Sequence, residues 1–198
     1  MKIFFTTLFT TFSLLAFPSI EHISIDRQDF IMVKEAYDIY DSKGLVMKLY
    51  HEENNRDLHF VLSLTLDDLT GDCGKKALSK GSYKIQGNTL SLYHFWRREG
   101  KAYDAPYGAM IEVYEVDKYG QFSKISSKIY MESTRKNYDP DSGMKYLFKA
   151  PSNTKEKALL AEYIKEIEKK YQATFVYADE AKSLILEVQT ALKKSMWN

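Results

Sequence analysis

The chain has 198 residues, 44% hydrophobic and 28% charged, the composition of one ordinary folded domain. Its 28 Lys and Arg stand against 27 Asp and Glu. It therefore lacks the concentrated basic surface that nucleic acid requires, and nothing pulls it strongly toward anionic membranes. The single cysteine, Cys73, excludes an internal disulfide, so packing must hold the fold. That thiol reads as a small, half-buried hydrophobe, with pairing between chains as the alternative.

At the start of the chain, Lys2 precedes an apolar stretch, Ile3–Phe17, broken only by Thr and Ser and ended by Pro18 and Ser19. Its 15 residues fall short of the roughly 20 that a spanning helix needs and match the apolar region of a secretory signal. The expectation is a signal peptide over 1–19 and a single globular domain over 20–198, periplasmic or secreted. Membrane contact is expected only if the signal stays uncleaved. Neither Ala16 with Leu14 nor Ser19 with Phe17 gives a small-x-small cleavage pattern, so the cleavage position stays open.

From 29 to 150 the pattern predicts an antiparallel β-meander of six to seven strands, curled into a barrel or a sandwich. Tyr37–Tyr40 and Leu45–Tyr50, split by Asp41-Ser42-Lys43-Gly44, form an early hairpin. In Leu58–Leu66, Phe60, Leu62, Leu64 and Leu66 recur at period two, the mark of a half-buried strand. A second hairpin turns at Gly87-Asn88, residues that tolerate positive φ. A third joins Met110–Val116 to Phe122–Met131 and sets Ile125, Ile129 and Met131 on one face.

Residues 151–198 change period. Leu159, Leu160, Tyr163, Ile164, Ile167 and Tyr171 recur at helical spacing, after a capping-box-like start at Asn153 and Glu156. A second helix from about Asp179 carries Ala181, Leu184, Ile185, Val188 and Leu192 inward, and Ala173–Tyr177 is a short apolar link with strand character. Each helix has one apolar stripe to bury, and the sheet is the available surface. The fold class is therefore α+β, a meander followed by two packed amphipathic helices.

Catalytic patterns are sparse. His22, His51, His59 and His94 show no metal-ligand spacing, and no nucleophile elbow, phosphate loop or dinucleotide fingerprint occurs, so no cofactor is expected. Asp139-Pro140-Asp141-Ser142-Gly143 holds too few oxygen ligands for a calcium loop and reads as a turn. More unusual is His94-Phe95-Trp96-Arg97-Arg98-Glu99-Gly100, continuing to Tyr107. Rigid aromatic and Arg side chains bury much area at low entropic cost, so Trp96, Arg97, Arg98 and Tyr107 are candidate binding residues.

Ser142-Gly143-Met144-Lys145-Tyr146 resembles the loop of secreted bacterial inhibitors of C-type lysozymes. That resemblance implies a small periplasmic β-barrel, with Ser142 and Tyr146 inserted into the enzyme's cleft. It covers five residues. The family's disulfide has no counterpart in this chain, and its loop lies inside the barrel rather than before helices. The meander is also similar to a lipocalin-like barrel in topology alone, since the first strand lacks the G-x-W signature. The reading from sequence is an exported cell-envelope binding module without catalytic machinery. It would hold a small apolar ligand inside the sheet or an envelope protein at the Trp96/Arg97 edge. The alternatives are a lysozyme-inhibitor-like protein and an envelope hydrolase using His94 with Asp104 or Glu99.

Overall fold

A computed structural model describes residues 18–40, 42–53, 57–72, 75–99, 107–132 and 151–195. Most of the expected signal segment, Cys73, Asp104, Ser142 and Tyr146 lie outside the described residues. The described chain is α+β. Strands β1 (Ser19–Ile25), β2 (Gln28–Ile39), β3 (Ser42–Glu52), β4 (Leu58–Asp72), β5 (Lys75–Gln86), β6 (Thr89–Glu99), β7 (Tyr107–Val116) and β8 (Phe122–Glu132) precede α1 (Thr154–Tyr171). A two-residue strand, β9 (Thr174–Phe175), and α2 (Ala178–Ser195) follow it. All nine strands form one sheet in sequence order, antiparallel except for β9 beside β8.

Seven described strands, β2 to β8, make up the expected meander; β1 adds an eighth before residue 29, and β9 forms in the apolar link between the helices. The hairpin between β1 and β2 turns on Asp26 and Arg27, at φ 50° and 67°. A two-residue turn of that shape is the left-handed conformation that Gly and Asn usually announce, so the letters gave no signal. The next hairpin also differs from expectation. Ile39 pairs with Ser42, so Tyr40 (φ 52°) opens the turn, and Gly44 lies within β3 opposite Tyr37. A Cβ on Gly44 would sit 2.7 Å from Tyr37 Cζ, so glycine there lets the phenol ring lie across the neighbouring strand. The turn at Gly87-Asn88 is as expected, with Gln86 paired to Thr89.

Three register shifts break the period-two reading. Between Leu49 and Tyr50, β4 carries an extra residue, Val61; Val61 joins the core and Phe60 is left 58% exposed. A second shift, between Leu45 and Val46, leaves Leu66 as the extra residue. In β8 the shift opposite Val113/Tyr114 leaves Ile125 unpaired and 54% exposed, whereas Ile129 and Met131 are buried. A β-bulge inserts one residue into one strand and so exchanges the faces on either side of it.

The sheet is open, and no pairing closes it into a barrel among the described residues. It curls nonetheless. Phe30 meets Phe122 edge-on at 5.5 Å and Gln28 Nε2 donates to the Asp117 carbonyl at 2.8 Å, bringing the first hairpin onto the β7–β8 turn. The enclosed centre is filled by Met32, Met47, Leu49, Leu64, Leu66, Leu90 and Leu92. On β6 the inner face carries Leu90 and Leu92, then His94 and Trp96. Farther along that face, α1 packs Ile164 and Ile167 with Ile129 and Met131. Helix α2 covers the outer face, where Ala181, Leu184 and Val188 meet Tyr93, Ala109, Ile111 and Tyr130. The crossing between faces is made at β9, with Phe175 in the inner cluster and Val176 in the outer one.

Candidate functional site

Strand β6 organises the candidate residues, because an unbroken strand sends successive side chains to opposite faces. His94 and Trp96 face inward, while Phe95 and Arg97 face outward. Trp96 stands directly opposite Gly108 on β7, and a Cβ at that position would collide with the indole. Glycine thus lets the ring lie flat across the neighbouring strand. The indole Nε1 is buried and has no hydrogen-bond partner among the described residues. His94 is deeply set, and burial lowers its pKa below the ordinary imidazole value; Glu112 and Asp67 pull it upward without overcoming that effect.

Those two carboxylates are themselves engaged. Lys124 Nζ lies 3.0 Å from Glu112 Oε1, and the Tyr114 hydroxyl donates to Glu112 Oε2 at 3.1 Å. Burial and the Glu112 charge hold the Tyr114 hydroxyl far above its usual pKa. Asp67 pairs with Lys80 at 2.6 Å and accepts the Gly81 N–H at 3.3 Å. Next to it, Asp68 accepts from the Tyr37 hydroxyl at 2.7 Å, and desolvation with that bond pushes the phenol up to about 12. Asp68, Leu78, Ser79, His94, Trp96, Met110 and Tyr171 line a half-open pocket of about 180 Å³.

Sequence reasoning picked out Trp96 and His94, and the structure brings them together. It separates Trp96 from Arg97 and Tyr107. Arg97 pairs with Tyr107 across the strands on the outer face, where Phe95 meets the Tyr107 ring edge-on at 4.8 Å. The expected shared Trp96/Arg97 edge is therefore two separate surfaces. Arg98 sits opposite Ala77 in the β5–β6 ladder. Glu99 follows His94 by five positions in the same regular strand, an odd spacing that gives the two positions opposite faces. The carboxylates near His94 are instead Asp67 and Glu112, which only the cross-strand register could reveal.

A larger feature had no signal in the sequence. Strand β4 pairs with β5 only from Asp68–Asp72 to Lys75–Ser79. Beyond that the ladder ends, although the β4 backbone still presses on Gly81, where a Cβ would stand 2.5 Å from the Leu66 carbonyl. From Lys80 to Gln86, β5 therefore has β6 as its one described strand partner. Because the Gly81 N–H turns outward to Asp67, antiparallel alternation turns the Tyr83 N–H outward too. Strand β1 likewise has β2 as its one strand partner among the described residues.

Between these two unpaired edges and one face of α2 lies a groove of about 1000 Å³. Its floor is the buried Tyr93 and its helical wall includes Leu186, which is 65% exposed. Lys34 lies 2.7 Å from Glu21 and 5.1 Å from the Tyr83 ring centroid. Burial alone would lower its pKa, but the Glu21 and Tyr83 contacts outweigh that and raise it. Lys84 and Lys194, also in the lining, make no ion pair with the described residues.

Among the described residues, no group of three or more His, Cys, Asp or Glu is placed to hold a metal ion. No described helix is long and apolar enough to cross a membrane. Fold and site together define an α+β protein built on an open antiparallel meander. No family model, curated protein or solved structure matches the chain.

Proposed function

We propose that this chain is an exported binding module of the cell envelope that captures an extended segment of a protein partner. The segment joins the open edge of β5 as an added strand, between β1 and α2. The observation that carries this reading is the groove itself, flanked on both sides by strand edges that pair with no further strand among the described residues. An exposed edge is a template for pairing, and strand addition takes affinity from main-chain hydrogen bonds and specificity from alternate side chains. Here Leu186 and Tyr93 would receive an apolar side chain, and Lys84 and Lys194, which have no ion pair among the described residues, an acidic one. Such a strand bridges β1 to β5 and draws the curled sheet toward a closed barrel. The packed interior around Leu90 and Leu92 weighs against an apolar ligand inside the sheet. Export rests on the apolar stretch after Lys2.

The test uses a photoreactive amino acid at Leu186 in cells, with a second at Ile125 on β8 as the control. The expected result is cross-linking from Leu186, and not from Ile125, to one defined peptide of an envelope protein. A synthetic copy of that peptide should then slow hydrogen exchange at the Tyr83 amide. Equal labelling from both positions, or a bound peptide that leaves Tyr83 exchange unchanged, sinks the reading.

A further inference from the structure

The edge of β5 is stopped at one end by a side chain from β4. In the ladder with β6, Gln86 and Thr89 close a two-residue turn, so antiparallel alternation sends the backbone groups of Gly81, Tyr83 and Ile85 away from β6. The last β4–β5 pair is Asp68 with Ser79, and one more regular step would set Leu66 opposite Gly81. Instead the Leu66 carbonyl lies over Gly81, 2.5 Å from where a Cβ would be, and the Gly81 N–H donates to Asp67 Oδ1 at 3.3 Å. Lys80 Nζ, 2.6 Å from Asp67 Oδ2, holds the carboxylate in place. Asp67 thus stands where the carbonyl of an added strand would stand. At its other end the edge stops at Gln86, because Gly87 (φ 61°) turns the chain into β6.

Building on strand addition at β5, we infer that Asp67 fixes the register of the captured segment. It is the specificity-determining residue that confines main-chain pairing to Tyr83 and Ile85. Segment residues opposite those two turn to the side of Lys34, which lies against the Tyr83 ring. The residue between them, opposite Lys84, turns to the α2 side with Leu186 and Lys194. A free Gly81 would offer a third pairing position. The segment could then shift two residues along β5, keep its faces, and carry its acidic side chain from Lys84 to Ser82. There it would stand beside Tyr93, near the Glu187 charge. With the Gly81 amide already taken, that second register has one main-chain bond fewer and the wrong charge.

Amide hydrogen exchange on the full chain tests this before any partner is added, with each rate taken relative to an unfolded peptide of the same sequence. Gly81 should be about tenfold or more better protected than Tyr83, the worth of one hydrogen bond to a charged group. Asp67→Ala should abolish the difference, and Asp67→Asn, which keeps an acceptor oxygen, should restore most of it. Equal protection of Gly81 and Tyr83 in the parent chain overturns the role of Asp67, whether or not the variants fold. The synthetic peptide copied from the Leu186 cross-link is then added. Tyr83 and Ile85 should slow while Gly81 stays unchanged. Slowing at Gly81 as well means that the groove takes a strand but Asp67 does not limit it. No slowing at any of the three sinks strand addition itself, and the register role with it.

Discussion

Two aromatic side chains in this protein owe their positions to glycines on the neighbouring strand. Tyr37 lies over Gly44 and Trp96 over Gly108, each pair in direct cross-strand register. Adding one methyl group at Gly108 forces the indole off β7. Gly108→Ala should destabilise the fold by about 1–3 kcal/mol, the usual cost of overpacking, measured as a lowered urea midpoint with a changed Trp96 fluorescence maximum. An unchanged midpoint would show that the ring has room to shift. His94 supplies a pH test. Its folded pKa lies below the unfolded 6.5, so on acidification the unfolded chain takes up the proton first. Its stabilising contribution is complete above pH 6.5 and is lost as pH falls through the lowered folded value. Between pH 7 and pH 5, His94→Gln should lose less stability than the parent chain in urea titrations; parallel losses would contradict the burial argument. Trp96 and His94 were legible as unusual residues. Their partners were not, because Gly108, Asp67 and Glu112 become neighbours only once strand register is fixed.

At the scale of elements, reading was most faithful where chemistry is local. The start of α1 is an example. Asn153 Oδ1 accepts the Glu156 N–H at 2.9 Å, while Glu156 Oε2 accepts the Ser152 N–H at 2.7 Å, closing the expected cap one residue further back. Asn153→Ala should cost about 1 kcal/mol of stability, read in thermal or urea unfolding. A neutral result would mean that packing of Ile164 and Ile167 alone holds the helix. The Gly87-Asn88 hairpin and both helical stripes were equally local. Periodicity failed at the bulges. Phe60 and Ile125 stand at expected core positions yet face solvent, because one inserted residue reverses the face and nothing in the letters marks the insertion. The hairpin at Asp26-Arg27 was missed for a related reason, since tertiary packing of Ile25 and Phe30 holds an unfavourable left-handed turn in place.

For the whole molecule, the decisive feature is how the two helices divide the sheet between them. Helix α1 takes the inner face and α2 the outer, with β9 threading the edge of β8. A chain ending at Tyr177 would uncover Tyr93, Ala109, Ile111 and Tyr130 together. Such a truncation should self-associate more than the full chain, seen by light scattering on the two side by side, because large exposed apolar patches seek cover. A monomeric truncation with an unchanged unfolding midpoint would remove α2 from the core. It would also remove the helical wall of the groove, so no added strand should bind to it.

By itself the sequence determined the α+β class, the order of strands before helices, the capped helix start and the apolar stripes. Each of these follows from side-chain periodicity or from bonds within a few residues. Only the tertiary structure decided where β4 leaves β5, which faces the bulges exchange, and which polar groups meet around Trp96. Those features depend on contacts between residues far apart in the chain, and local spacing carries no record of them.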